Sequence, residues 1–430
     1  MGCFNGEVAA NCRVRYSSSY YFPFYSFSRR PAVTDSPNTV LCLSRRLKGE
    51  DFLREAKRLG WRVVLVTIPK LEHVEWPRES VDEIFCLPDM DKMEDMINGV
   101  SYLARTRSID RIIPLDDYEV PIAAALREHL RLPGLGETVT RYFRDKLAMR
   151  VKAREEGLAV PDFCPTINDG KLHEFMQRVP APWVLKPRAE AASAGIKKIH
   201  SVQEVLDYLD SFGDRRSFYV LEQYVPGRVY HVDSIVHKGE VLFAEVHQYG
   251  NPPLDVSHGG IFTTHTVERG SEVERALRQF NEQIIKGLGL PRGVTHIEFI
   301  KGHEDGRFYF LEAAARVGGA NIVEMVEAAT GLNLWREWAR LELDTEHYKL
   351  PKLRKGYAGI IISLARQEDP DTSDYQDKEI VWRMQKRYHA GLIVAAPGLT
   401  QVQSLLDGYS QRFYHDFHAS MPALDKPAED

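Results

Sequence analysis

From residue 38 the apolar positions alternate between two rhythms. NTVLCLS is a short continuous apolar run, LKGEDFLREAKRLG spaces its apolar residues every three to four positions and stops at Gly60, and WRVVLVTIP is a second run. Continuous runs suit strands buried on both faces, and the helical rhythm between them supplies a crossover, so this stretch predicts a β-α-β unit. IDRIIPLDD and YEVPIAAALREHL repeat the scheme, which predicts an N-terminal parallel α/β domain over residues 36–133. Asp116 and Asp117 end that last strand, where open α/β sheets often bind ligands. A solvated acidic turn is the plainer expectation for them.

The next 200 residues mix the rhythms. RYFRDKLAMRVKAREEGLAVP predicts a helix with Phe143, Leu147 and Val151 along its apolar stripe, Lys146 beside it, and a stop at Gly157 and Pro161. WVLKPRAEAASAGIKKI predicts two strands joined by a loop of small residues from Ala189 to Gly195, with Lys186 on the first. Small side chains there let backbone N–H groups approach a phosphate. FYVLEQYVPGRVYHVDSIV predicts a strand ending at Glu222-Gln223-Tyr224-Val225, a turn at Pro226-Gly227 and a returning strand, a simple hairpin unless the exposed backbone reads an adenine edge. After residue 341, GYAGIIISLA, HAGLIVAAPG and VQSLLDGYSQRFYHDFHASMP predict strands and a helix that complete the fold without adding chemistry.

VTHIEFIKGHEDGRFYFLEAAARVGG holds the most informative pattern: two strands around the turn-forming Glu304-Asp305-Gly306. On the simple alternation Phe308, Phe310 and Glu312 share one face. Counting evenly from Asp305 sets Glu298 opposite Glu312, and like charges about 5 Å apart are destabilising unless something neutralises them. A magnesium ion that also holds phosphate oxygens is one solution, and a raised pKa on one glutamate is the other. Arg316, four residues on, offers a phosphate- or carboxylate-matching fork and favours the metal.

Composition narrows the class. A net charge of -5 and a pI near 6.3 give no global attraction to nucleic acid or to an anionic membrane. Five cysteines with no CxxC pair suggest neither a disulfide framework nor a zinc site and fit a reducing cytoplasm, and no apolar run approaches the ~20 residues of a membrane span. Residues 1–35 stand apart: VRYSSSYYFPFYSFSRR has no period that continues into the fold. MGCFNG starts like a myristoylation signal but has Gly6 where Ser or Thr is wanted, and a basic, acid-poor start also suits a transit peptide. The expectation is a disordered extension.

Lys146, Lys186 with its small-residue loop, Glu222 to Val225, Glu298, Glu312 and Arg316 occur in an order that resembles the ATP-grasp superfamily, and within it the carboxylate–amine ligases that include L-amino-acid (dipeptide) ligases. The resemblance covers residues 38–425. It implies an ATP-grasp fold of class α/β: an N-terminal parallel domain (36–133), a nucleotide-binding domain (134–340) and a C-terminal α+β portion (341–430). It also implies ATP and one or two Mg2+ as cofactors, with small-molecule carboxylate and amine partners, amino acids in particular. Nucleic acid and membrane are not expected as partners, and a homodimer is left open. Lys146 and Lys186 would contact the nucleotide, Glu222 and the backbone of Gln223, Tyr224 and Val225 would read adenine and ribose, and the loop through Ser193 and Gly195 would close over the phosphates. Glu298 and Glu312 would hold the metal, and Arg316 would steady the transferred phosphoryl group or the substrate carboxylate. His247 and His258, read as part of a water-excluding lid in VHQYGNPPLDVSHGGIFTTHT, and Gly318-Gly319 are the substrate-side candidates.

Two departures from the family pattern stand out. Ala314 occupies a place that is often Asn, removing one side-chain metal ligand. Val229 and Tyr230 follow Arg228 where an acid is often found, which weakens the expected ribose contact. Another ATP-grasp chemistry, carboxylation or thioester formation, therefore stays open, as does a non-catalytic nucleotide-binding module.

Overall fold

The computed structural model describes residues 37–191, 193–257 and 260–420, and the expectations for residues 1–35 and for His258 lie outside them. The chain from Pro37 on forms one compact unit. It begins with β1 (Thr39–Leu43), α1 (Glu50–Arg58), β2 (Arg62–Thr67), β3 (Glu83–Cys86), α2 (Met93–Ala104), β4 (Arg111–Pro114) and α3 (Glu119–Leu130). The strands form a parallel sheet in the order β3-β2-β1-β4, with Val40, Leu41, Cys42 and Leu43 wholly buried, as unbroken apolar runs require.

After α4 (Glu137–Arg141) and α5 (Lys146–Glu155) comes a small antiparallel sheet. It is built from β5 (Phe163–Pro165), β6 (Trp183–Pro187), β7 (Lys197–Ile199) and β8 (Tyr219–Gln223) in the order β5-β8-β6-β7, with α6 (Asp169–Arg178) and α7 (Val202–Phe212) between its strands. The remaining strands are β9 (Gly227–His237), β10 (Glu240–Tyr249), β11 (Phe262–Thr266), β12 (Arg292–Gly302), β13 (Phe308–Ala314), β14 (Tyr357–Leu364), β15 (Ile380–Arg383) and β16 (His389–Ala396). They form one antiparallel sheet, β13-β12-β9-β10-β11-β14-β16-β15. The short α8 (Pro253–Ser257) and then α9 (Glu272–Leu288) are inserted along the way, and α10 (Ile322–Thr330), α11 (Leu334–Leu343) and α12 (Leu399–Asp416) complete the chain. Segments past residue 341 thus extend the same large sheet that carries the β12–β13 hairpin.

One apolar core joins α1, α10 and α11 to both the parallel and the large sheet, with Phe52 edge-on to Trp338 at 5.4 Å. A second lies under α5 and α9 on the large sheet. Among the described residues no helix is long and apolar enough to cross a membrane.

Two local expectations are corrected. β9 does not return along β8: it pairs with β10 and β12, so residues 224–226 cross from the small sheet to the large one. Helix α5 starts at Lys146, capped by the Asp145 carboxylate on the Leu147 and Ala148 N–H groups. It buries Lys146, Met149, Arg150 and Ala153, not the stripe through Leu147 and Val151. Val151 is 41% exposed. The helix turns its cations inward because two carboxylates await them, the buried Glu222 and the half-buried Glu312, a partnership periodicity cannot register. Replacing Met149 by Ala should therefore cost about 2–4 kcal/mol in a urea melt, whereas Val151→Lys should shift stability by less than about 0.5 kcal/mol. The reverse ranking would restore the predicted stripe.

Candidate active site

The β12–β13 hairpin positions the two central carboxylates. Near its turn Lys301 pairs with Phe308, Ile300 with Tyr309 and Phe299 with Phe310. On that register Glu298 would face Leu311. A bulge slips the ladder by one residue, so that Glu298 faces Glu312 and His296 faces Ala314. The expected pair is present, but even counting from Asp305 reaches it only because a shifted turn and the bulge cancel. The bulge also changes the faces: Phe310 is buried with Phe299 against α9, while Leu311 and Glu312 both line a cleft with Glu298 and Ile300. Phe310 and Glu312 therefore do not share a face.

The like-charge contact is answered by the protein's own cations, a solution distinct from both a metal and a neutralised glutamate. Lys146 Nζ, almost fully buried, lies 3.0 Å from Glu312 Oε1 and donates at 2.7 Å to the Glu190 carbonyl. On the other strand His296 Nε2 lies 3.5 Å from Glu298 Oε1, and Tyr249 Oη donates to the same oxygen at 2.9 Å. His296 Nδ1 is held by Asp233 Oδ1 at 2.9 Å. Burial alone would lower the His296 pKa, but Asp233 and then Glu298 push it up to about 9, so the ring is charged at neutral pH. Burial would raise the Glu298 carboxyl; His296 and Tyr249 override it and hold it below the usual range. Glu298 and Glu312 keep 22% and 32% of their side chains exposed toward the cleft.

Asp233 is the hub beneath. It is fully buried, with His231 Nδ1 at 2.7 Å and His247 Nδ1 at 3.3 Å in addition to His296. His231 Nε2 meets Thr264 Oγ1 at 2.9 Å, and burial drives the His231 pKa down to about 4, leaving it neutral. Ligand atoms of His231, Asp233 and His296 lie within 4.8 Å of one another, yet His231 and His296 both spend a nitrogen on Asp233. The cluster reads as a hydrogen-bonded support for Glu298.

The other expected residues do not all converge on one place. Lys146, Lys186, Ser193, Glu222, Gln223, Tyr224 and Val225 line the same cleft as Glu298 and Glu312. Gly195 lies in the β6–β7 loop, left-handed at φ 67°. Glu222 is only 1% exposed and is committed to Lys186 at 2.8 Å and Arg150 at 3.0 Å. Burial would raise its carboxyl, and the two cations hold it low. Arg316 stands past the end of β13, half-buried and bonded to the Asp117 carboxylate and the Val317 carbonyl. Asp116 and Asp117 are therefore not a solvated turn: both are buried, Asp116 with Arg46 and Lys48, Asp117 with Arg316. His247 is not in a loop; it is wholly buried in β10, stacked on His231 at 4.6 Å.

Gly318 and Gly319 differ. A Cβ on Gly318 would lie 2.9 Å from Asp233 Oδ1 and 3.0 Å from His296 Nδ1, so only glycine lets this backbone close over the buried pair; Gly319 faces open space. Sequence reasoning missed Asp233, His296, Tyr249 and Arg150. The only signal for Tyr249 and His296 was their period-two spacing from the candidates His247 on β10 and Glu298 on β12, and Asp233 carried none. Arg150 carried none.

A cleft between a small antiparallel sheet and a larger one, lined by two lysines and two opposed glutamates, resembles the arrangement of the ATP-grasp class. The chain belongs to it: residues 179–324 match the ATP-grasp domain and residues 53–134 the ATP-grasp N-terminal domain. Its relatives include the L-arginine-specific L-amino acid ligase of Bacillus subtilis, 22% identical over 63% of this chain and 66% of that one, and the alanine–anticapsin ligase of the same organism, 21% identical over 64% and 60%. The chain thus spans just under two thirds of the curated relatives it matches. The crystal structure of an L-amino acid ligase from Bacillus licheniformis superposes with a TM-score of 0.72 at 18% identity, covering 90% of this chain and 99% of the other.

Substituting Gly318 by Ala should cost about 1–3 kcal/mol through overpacking on the Asp233–His296 pair, while Gly319→Ala should be near neutral. Equal melting temperatures for the two variants would refute the close approach.

Proposed function

We propose that this chain is an ATP-dependent carboxylate–amine ligase that joins amino-acid substrates through an amide or peptide bond, by way of an acyl phosphate, releasing ADP and phosphate. The observation that carries the reading is the convergence in one cleft of Lys146, Lys186, the segment Gln223 to Val225 and the opposed Glu298 and Glu312. Its similarity to amino-acid ligases supports it. The reading makes it a cytoplasmic enzyme of small molecules, with residues 36–133, 134–340 and 341–430 as its domains.

Lys146 and Lys186 would hold phosphate oxygens. With Glu222 locked to Arg150 and Lys186, adenine recognition falls to the backbone of Gln223 to Val225 rather than to the Glu222 carboxylate. Ser193 and Gly195 would lay backbone N–H groups over the phosphates. The exposed carboxylate oxygens of Glu298 and Glu312 are a hard donor set that suits magnesium, with Ala314 adding no side-chain ligand. When bound, the metal supplies positive charge beside the phosphates.

The chain's own work is placement. A substrate carboxylate oxygen attacks the γ-phosphorus in line and the bond to the ADP oxygen breaks, while Lys146, Lys186 and Arg316 offset charge on the equatorial oxygens. The amine then adds to the acyl carbon, and the C–O bond to phosphate breaks as the amide forms. Excluding water protects the acyl phosphate meanwhile. Asp117 fixes the Arg316 guanidinium. Burial would raise the Asp117 carboxyl, but Arg316 and Arg144 depress it, so the pair stays ionised at neutral pH.

A screen of amino-acid pairs for ADP release should find turnover that needs both a carboxylate and an amine; release indifferent to either, or a thioester or carboxylated product, would overturn the reading. Lys186→Ala should weaken ADP binding about tenfold, or about 1.4 kcal/mol by calorimetry, with the fold intact because Arg150 still neutralises Glu222. Unchanged affinity would remove Lys186 from the site. Glu312→Gln should abolish turnover. It should also cost about 1 kcal/mol in ligand-free melts, since Lys146 loses its anionic partner and keeps only neutral acceptors, a loss moderated by the exposure of Glu312. Normal turnover in that variant would sink the metal assignment.

A further inference from the structure

Arg316 also lines a second cavity, of about 840 Å³, at the C-terminal ends of β1, β2 and β4, where open parallel sheets bind ligands. One part of its wall is acidic. Glu324, in the first turn of α10, and Glu50, in the first turn of α1, both border it. Burial raises the Glu324 carboxyl, a hydrogen bond from Asn321 partly offsets this, and Asp51 and Glu50 raise it further. Among the described residues neither Glu324 nor Glu50 forms an ion pair, whereas the adjacent Asp51 is taken by Arg54, Arg336 and the Asn333 amide. The lysines on the wall are engaged: Lys48 with Asp116, Lys70 and Lys386 with contacts of their own. Beside the acids the lining is apolar and aromatic, with Leu71, Val74, Trp335 and Trp382.

A carboxylate without a cation beside indole rings is costly to bury unless a ligand brings the missing charge. An ammonium or guanidinium group is attracted both to carboxylates and to aromatic faces. We propose that this cavity seats the amino-acid substrate, with a cationic group of that substrate against Glu324 and Glu50, its apolar stem against Trp335 and Trp382, and its reacting carboxylate toward Arg316. The proposal rests on the ligase reading and adds to it the residues that choose the substrate.

Four carboxylates test it: L-lysine, L-norleucine, and the Nα-acetyl derivative of each. ADP release is measured with glycinamide as the fixed amine, and binding by calorimetry in the presence of magnesium and ADP. Removing the recognised cation should lower kcat/KM at least tenfold. A loss on acetylation identifies the α-ammonium, and a loss from lysine to norleucine identifies the side chain. Glu324→Gln should reduce that discrimination at least fivefold with the KM for ATP unchanged. Glu50→Gln should act in the same direction and serves if the first variant melts early. Equal binding and turnover of all four compounds, absence of binding by all four, or discrimination unchanged in both variants overturns the proposal. If the wild type releases no ADP with any amino-acid pair but calorimetry retains the cation preference, the ligase reading falls and the cavity assignment stands.

Discussion

Two carboxylates facing each other across a hairpin are the constraint around which this molecule is arranged. Glu298 and Glu312 can face each other at close range without mutual repulsion only if positive charge reaches each from a different direction. Lys146 arrives from α5 and His296 from within β12 itself. Each cation must then be buried and oriented. That requires Glu190 to offer a carbonyl and Asp233 to hold the imidazolium, and Asp233 in turn sits under a backbone that only Gly318 allows to close. Helix, hairpin and glycine are tied together by one electrostatic requirement.

A second charge balance fixes the roof of the cleft. Glu222, at the end of β8, is satisfied by Arg150 from α5 and Lys186 from β6, so α5 sends one cation to the large sheet and another to the small one. The same helix thereby registers both walls. Because both carboxylates are already neutralised, a bound polyanion competes for Lys146 and Lys186, and binding exchanges one set of ion pairs for another. Arg316 differs, being held by Asp117 at the end of the parallel sheet and lining the larger cavity rather than the cleft.

Much of this was legible along the chain. Unbroken apolar runs alternating with a helical rhythm specified the parallel sheet, and the turn residues Glu304-Asp305-Gly306 specified the hairpin, because each is a local property of backbone and burial. The ordered lysines and glutamates pointed to the class, and the cleft gathers nearly all of them. Less legible were the stripe of α5, the fate of the chain after Glu222 and the charge state of the central pair. An inward-facing Lys146 or Arg150 looks like any solvated cation until its carboxylate, dozens of residues away, is placed beside it.

The sequence by itself determined the elements, the likeness to a family and the identity of the opposed glutamates, since periodicity, turn chemistry and residue order act over short distances. Only the tertiary structure decided that a bulge at Leu311 creates the pairing, that β8 and β9 part into different sheets, and that His296 is charged. Those outcomes depend on which ladder a strand joins and which buried ions meet, and Coulomb energy in a low-dielectric interior is set by positions in space rather than along the chain.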